Sequence, residues 1–419
     1  MKKTIVGFLV TMSFLISLSG CGESSKIVAD NSESLLSSSE ATMPTGEEES
    51  MEVPPVGGEI VQVNSGNEAG FYTVEDVNGY SIVTYIDYET KTQVPLCNRP
   101  ECTHSDSSCT AYALIDGVSM PVFAVIGERL FVVQTEAGAD TLPRIIVAGL
   151  DGSSPETLIE LDANTSIMPQ LYTDSSYIYA LVTVYSGSSS YLELYRFDLQ
   201  NNSFESLCRF PEGADGQIAS GFGQTLTFSL FINDEETGDM TDVGQVYHTD
   251  TNVLDDPIAS QLAGSQENFV IYNHTLVTVD TRDAATCTMT FQDLISGESS
   301  TYQTASLLAE SGMDSARINV YDLWDNWYRI TLTEDDEFAS YNVNPFTGEY
   351  YPMTLYYEGS TNVVLILSEM NDKLLVRAKW DETREGDTLV NLVPVYALIT
   401  KENYLHSVPN FEYITGIAS

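Results

Sequence analysis

The sequence predicts an all-β fold. Short runs rich in Val, Ile, Tyr, Phe and Thr alternate with clusters of turn residues, the runs have strand lengths, and helical periodicity is nearly absent. One unit recurs along most of the 419 residues: an aromatic or β-branched strand, a tight polar turn and a shorter strand.

From the N-terminus, Lys2 and Lys3 form a basic start, residues 4–16 an apolar stretch, and Leu18-Ser19-Gly20-Cys21 sets small residues before a cysteine. This is the pattern of a lipoprotein signal peptide over residues 1–20, with Cys21 the first and lipidated residue of the mature chain. An acyl chain such as palmitate on Cys21 would anchor the protein, each buried methylene contributing about 0.8 kcal/mol. Residues 21–58 contain Ser37-Ser38-Ser39-Glu40 and Glu47-Glu48-Glu49-Ser50 with few bulky apolar residues, and read as a disordered acidic tether. A flexible coil of about 36 residues reaches roughly 30 to 36 Å. No later segment approaches 18 uncharged apolar residues. The expected location is the outer face of the cytoplasmic membrane, anchored rather than spanning.

Residues 59–419 carry the recurring unit. Its turns are marked by Asp87, Gly149, Asp198, Asp250, Asp293, Asn344 and Ile399, at steps of 43 to 62 residues. A period of this order, holding four strands, is the size of a β-propeller blade, so a single seven-bladed propeller is expected. Two stacked β-sandwich domains are the alternative. The sixth unit shows all four strands: residues 318–323, 328–333, 338–344 and 350–353, with Trp324-Asp325-Asn326-Trp327 as the first turn. The first unit lacks room for an inner strand before Phe71, while residues 411–417 remain after the seventh. The tail is therefore expected to close the ring as the innermost strand of the first blade, removing open sheet edges.

With 17 basic and 61 acidic residues the net charge is −44. Nucleic-acid binding is excluded on this ground, because phosphate contacts need clustered Lys and Arg. The acidic character fits a soluble exposed monomer. Several loops between second and third strands are acid-rich, including Asp234, Glu235, Glu236, Asp239, Asp335 and Asp336. With the aromatic residues Trp324 and Trp327 of the sixth unit, Asp335 and Asp336 form a candidate ligand face, since aromatic rings stack on sugars and peptides. The competing reading places those rings in the core between blades.

The sharpest local feature is Cys97-Asn98-Arg99-Pro100-Glu101-Cys102-Thr103-His104-Ser105-Asp106-Ser107-Ser108-Cys109. Cys97, Cys102, His104 and Cys109 are four donors of the kinds Zn²⁺ prefers, on loops short enough to reach one tetrahedral centre. Outside a membrane, two of the thiols can instead pair as a disulfide, leaving one free. Unpaired thiols are the third alternative. Cys208 and Cys287 fall in different units and read as small buried hydrophobes.

Pro95-Leu96-Cys97, Pro100-Glu101-Cys102, His104 and Cys109-Thr110-Ala111-Tyr112, just after Tyr85-Ile86-Asp87-Tyr88-Glu89-Thr90, together with the opening segment, resemble surface lipoproteins of Gram-positive gut clostridia. Those are similar to YWTD- and TolB-type propellers. The resemblance covers the signal peptide and roughly residues 70–113, and implies a propeller at a Gram-positive cell surface without implying an activity. The Tyr-Trp-Thr-Asp tetrapeptide itself is absent.

No Gly-x-Ser-x-Gly elbow, His-Glu-x-x-His or Gly-rich phosphate loop occurs, and His104, His248, His274 and His406 lie in separate stretches. The expected role is a binding or scaffolding module for a glycan, a peptide or an envelope protein. A glycan-active enzyme using two carboxylates is the alternative.

Overall fold

The computed structural model describes residues 58–417, except 78–79, 98, 100, 105–107, 116–120, 139–140, 234–239, 256, 263–266, 281–287, 314–315, 336, 358–361 and 386–387. The chain divides into units Met1–Glu52 and Val53–Ser419, and every described residue belongs to the second. The expectations for the signal peptide, Cys21 and the tether before Gly58 lie outside the described residues. So do those for Asp234, Glu235, Glu236, Asp239, Cys287 and Asp336.

A short strand β1 (Val61–Gln62) precedes the first blade, β2 (Gly70–Val77), β3 (Tyr80–Asp87) and β4 (Thr92–Pro95). Helix α1 (Thr110–Ala113) leads to the second, β5 (Pro121–Ile126), β6 (Arg129–Gln134), β7 (Arg144–Gly149) and β8 (Glu156–Glu160). The third is β9 (Thr165–Thr173), β10 (Tyr177–Ser186), β11 (Ser189–Asp198) and β12 (Ser203–Arg209). The fourth is β13 (Asp215–Phe222), β14 (Thr225–Asn233) and β15 (Met240–His248), with an outer strand in two pieces, β16 (Val253–Leu254) and β17 (Ala259–Leu262), both paired to β15. The fifth is β18 (Glu267–Tyr272), β19 (Thr275–Asp280), β20 (Thr288–Asp293) and β21 (Ser299–Gln303), followed by α2 (Ala305–Ser311). The sixth is β22 (Arg317–Asp322), β23 (Tyr328–Glu334), β24 (Glu337–Asn344) and β25 (Glu349–Pro352). The seventh is β26 (Leu365–Glu369), β27 (Lys373–Glu385) and β28 (Thr388–Thr400), then α3 (Lys401–Leu405) and β29 (Glu412–Tyr413). Within each blade the strands pair antiparallel in chain order.

Burial follows position in the blade. The second strand β6, Arg-Leu-Phe-Val-Val-Gln, is buried from Leu130 to its end because both faces meet a neighbouring sheet. The fourth strand β12 is largely exposed, which suits its Ser, Glu and Arg. The packing between sheets shows the ring. Ile82 and Val83 of the first blade meet Leu130 and Val132 of the second, and Phe131 and Val133 meet Ile178 and Val182 of the third. Tyr179 and Leu194 meet Phe228 and Tyr247 of the fourth, whose β13 and β14 lie against β18 of the fifth. Met289 and Phe291 meet Tyr328 and Ile330 of the sixth, and Met353 meets Leu374 and Ile399 of the seventh. Leu375 and Leu398 return to Ile86 and Tyr88 of the first. The protein is a seven-bladed β-propeller, and the two-sandwich alternative is excluded.

Four of the seven turn residues that mark the repeat act through one local device. Asp87 Oδ1 accepts the N–H of Thr90 at 2.7 Å, and Asp198 accepts those of Gln200 and Asn201 at 2.8 and 2.9 Å. Asp293 accepts those of Ile295 and Ser296 at 2.8 Å each, and Asn344 those of Phe346 and Thr347 at 3.0 and 3.1 Å. Such side-chain turns close the hairpin between third and fourth strands. The seventh unit departs from this. Ile399 has no oxygen to offer, and the chain enters α3 instead, with Thr400 Oγ1 accepting the N–H of Asn403 at 3.1 Å.

Closure at the seam between the seventh and first blades differs from expectation. The C-terminal strand does join them, but from the outside: β29 pairs with β28 (Leu398↔Glu412), and Thr415 forms a parallel bridge with Thr92 of β4. The inner position of the first blade is already taken. Gly66 bridges to Phe71, and Ser65 O accepts the Tyr72 N–H at 2.8 Å.

That lead-in crosses the centre of the ring. The Ile60 N–H reaches Gly223 O of the fourth blade at 2.8 Å and the Val63 N–H reaches Leu171 O of the third at 2.9 Å. Asn64 O accepts the Val125 N–H of the second at 3.0 Å, and Asn64 Nδ2 donates to Ser368 Oγ of the seventh at 2.9 Å. Gly223 belongs to a turn between first and second strands, and Val125 and Ser368 lie beside such turns, so residues 58–67 run along the inner-strand ends of several blades on that face.

Candidate metal centre

The connection from β4 to β5 carries the cysteine cluster. Beyond β4 the Leu96 N–H still reaches across to Val83 O of β3 at 2.9 Å, and the Cys97 N–H then turns back onto Pro95 O at 2.8 Å. The Cys102 N–H closes a turn onto Arg99 O at 3.3 Å, and the Arg99 guanidinium reaches forward to Ser108 O. Glu101 and His104 take left-handed φ values of 71° and 54°, an uncommon conformation for residues with a Cβ. Cys109 immediately precedes α1, which presses Ala111 on the core between the first two blades, with Leu114 and Ile115 beyond it. Cys109 is buried there, while Cys97, Cys102 and His104 are half-buried.

The result is convergence. One donor atom from each of Cys97, Cys102, His104 and Cys109 lies within 4.8 Å of every other, and His104 Nδ1 is 3.4 Å from Cys109 Sγ. Three sulfurs and one imidazole nitrogen around one point can hold a metal ion. Burial pushes the Cys109 thiol above its ordinary pKa. Cys97 moves down despite burial, because Thr110 and the N–H of Arg99 stabilise its thiolate. Among the described residues all four cysteines are free thiols. The fourth, Cys208, stands apart on β12 with its thiol pushed up to about 11 by burial. Cys97 also lines a cavity of about 400 Å³ with Tyr72, Tyr85, Leu96 and Leu150.

The aromatic and acidic ligand face does not assemble. Trp324 is only 7% exposed and belongs to the core between the sixth and seventh blades, 6.0 Å from the Tyr404 ring, with Lys401 Nζ 5.6 Å from its own. Trp327 is half-buried and stacks on Tyr351 at 5.6 Å. Asp335 is exposed, but it sits in the β23–β24 turn, separated from Trp327 by the seven residues of β23, or about 23 Å of strand. The hairpin sends the two turns to opposite faces of the blade.

The histidines do not converge either. His248 pairs with Asp255 at 2.8 Å, His274 with Asp293 at 3.0 Å, and His406 lies 4.1 Å from the Tyr351 ring. Sequence reasoning missed two carboxylates at inner-strand ends, Asp322 in the sixth blade and Glu369 in the seventh. Asp322 is pushed up to about 6 by burial, with the Glu369 carboxylate adding to the effect. Glu369 forms an ion pair with Lys401, and Asn273 Nδ2 donates to Asp322 Oδ2 at 3.3 Å. Glu369 lines a cavity of about 330 Å³ together with residues 62–65 of the lead-in and Ile366, Leu367 and Ser368. Nothing local in the sequence relates two carboxylates 47 residues apart.

No protein-family model matches the chain, and no curated protein matches it. Among solved structures it is similar to an oligogalacturonate lyase in complex with manganese, with TM-score 0.46 and 10% identity over 70% of this chain and 78% of that one. It is similar to the β-propeller domain of the Trilobed protease from Pyrococcus furiosus, with TM-score 0.45 and 12% identity over 86% and 98%. TolB from Acinetobacter baumannii gives 0.35 and 12% over 80% and 77%.

Proposed function

We propose that this chain is an extracytoplasmic lipoprotein, anchored through Cys21 at a Gram-positive cell surface, whose propeller serves as a binding or scaffolding module stapled by one Zn²⁺. The observation that carries the metal part is the convergence of Cys97, Cys102, His104 and Cys109 within 4.8 Å. Three thiolates and an imidazole suit Zn²⁺ better than an oxygen-preferring ion. Residues 97–109 join two blades, so the ion ties a long connection to the core and contributes to folding rather than to chemistry. The partner class is a glycan, a peptide or an envelope protein, and the net charge of −44 argues against nucleic acid.

Metal analysis of the purified chain is expected to give one zinc per molecule, lost in a Cys97→Ser, Cys102→Ser double variant; absence of zinc from protein prepared with zinc present refutes the staple. Metabolic palmitate labelling tests the anchor, and label persisting in Cys21→Ser refutes it. Binding to cell-wall glycans, peptides and envelope extracts, measured with and without enzymatic turnover, tests the module. A glycan-active enzyme is the second reading. Asp322, whose carboxyl is raised toward neutrality by burial, and Glu369, ion-paired with Lys401 at the cavity beside the lead-in, favour it, since acid–base catalysis uses carboxyls in two different protonation states. Glycan cleavage abolished by Asp322→Asn would establish that reading.

A further inference from the structure

We propose that residues 97–109 form a redox-governed metal switch, in which Zn²⁺ binding and a Cys97–Cys102 disulfide are mutually exclusive states of one loop. This rests on the zinc reading above and deepens it. Three thiols share one centre within 4.8 Å, although a four-coordinate ion and a disulfide make opposite demands on them. An ion holds the sulfurs apart around itself; a disulfide joins two of them directly and removes both from the donor set.

The structure distinguishes the three thiols. Cys109 is buried at the start of α1, and its carbonyl accepts the Ala113 N–H at 2.9 Å, so its backbone is held by α1 and its thiol is shielded from solvent. Cys97 and Cys102 are half-buried, and the turn closed by the Cys102 N–H and Arg99 O lies between them. They are the more exposed pair, which a small oxidant reaches first, and their sulfurs already lie within 4.8 Å of each other. His104 and Cys109, 3.4 Å apart, then remain as two donors. Two donors do not make a tetrahedral site, and the ion leaves.

Hydrogen peroxide is a sufficient oxidant. The Cys97 thiolate attacks one peroxide oxygen, the O–O bond breaks, and the departing hydroxide takes up a proton as water, leaving a sulfenic acid on Cys97. The Cys102 thiolate then attacks Cys97 Sγ, the S–O bond breaks, and a second hydroxide leaves and is protonated to water. Two thiolates lose two electrons, one peroxide gains them, and two protons are consumed. A dithiol reductant reverses the step and restores the four-donor set. Cys97 lines the cavity beside Tyr72 and Tyr85, so the cavity wall differs between the two states.

The test uses the full chain loaded with zinc, its metal content measured first. Peroxide is titrated in while a chromophoric indicator follows released zinc, and mass spectrometry after alkylation maps the thiols. Zinc release in step with a Cys97–Cys102 disulfide, reversed by dithiothreitol and added zinc, is expected. Cys208→Ser should leave release unchanged, and the mapping on the unaltered chain keeps the test independent of whether Cys97 variants fold. A chain that takes up no zinc refutes the zinc reading and the switch with it. A zinc-loaded chain that keeps its ion while this disulfide forms, or loses it without the disulfide, or resists peroxide altogether, refutes the switch alone.

Discussion

The 97–109 loop and the 324–327 turn are alike as sequence: each gathers rare residues, cysteines in one and tryptophans in the other, on a short stretch between strands. They differ in where the side chains go. The loop is long enough to curl, and its four donors face one another within 4.8 Å. The turn is a tight hairpin, and its two rings point to different neighbours, Trp324 toward Tyr404 and Trp327 toward Tyr351. A constellation contained in one loop can complete itself, whereas residues on a hairpin are claimed by whichever blade lies alongside.

The contrast can be broken experimentally. The largest effect should come from Trp324→Ala, at about 3 to 5 kcal/mol of lost stability for truncating a buried Trp; denaturant unfolding with little loss would return Trp324 to the surface. Stripping zinc with a strong chelator should remove about 2.7 to 4.1 kcal/mol, the linkage expected at 100 to 1,000 times Kd. Thermal unfolding with and without the chelator reads this, and identical midpoints would argue against a structural ion.

Near the same turn, Asp322 supplies a pH signature. Its folded pKa, about 6, lies above the unfolded value, so its neutral form favours the native state at low pH, and that contribution is lost as pH rises through 6. Asp322→Asn should therefore raise stability at pH 8 by roughly 2 kcal/mol and much less at pH 4. Equal effects at both values would contradict the burial argument. Trp327→Ala should cost about 1 kcal/mol, the scale of one stacked pair.

The smallest effect lies in the hairpin turns. Asp87 is held below its usual pKa first by the Thr90 N–H, and Asp293 first by the Ser296 N–H. Their contribution is present above the unfolded carboxylate pKa and fades as pH falls through the depressed folded values. Acid titration of Asp87→Asn and Asp293→Asn should accordingly show shallower stability losses below about pH 4 than the parent chain.

Much of the fold could be read from local chemistry. The sixth unit's strands fall within about a residue of expectation, because alternation and turn residues act over a few positions. Asp87, Asp198, Asp293 and Asn344 mark hairpins in the sequence for the same reason they close them in space. The donor set of the candidate metal centre was equally visible, since all four residues lie within thirteen positions. Other features depend on distant partners. The placement of β29 follows from the lead-in already lying beside β2, and the burial of Trp324 from α3 lying some 80 residues further on.

By itself, then, the sequence determined strands, turns, the recurring unit and the contents of the cysteine loop, all written in residues close enough to interact through the local backbone. Tertiary structure alone decided where the lead-in lies, how the seam is sealed, that burial shifts Asp322, and that four donors converge instead of two. Those outcomes depend on side chains and backbone groups brought together by packing between blades, and packing is a property of the closed ring.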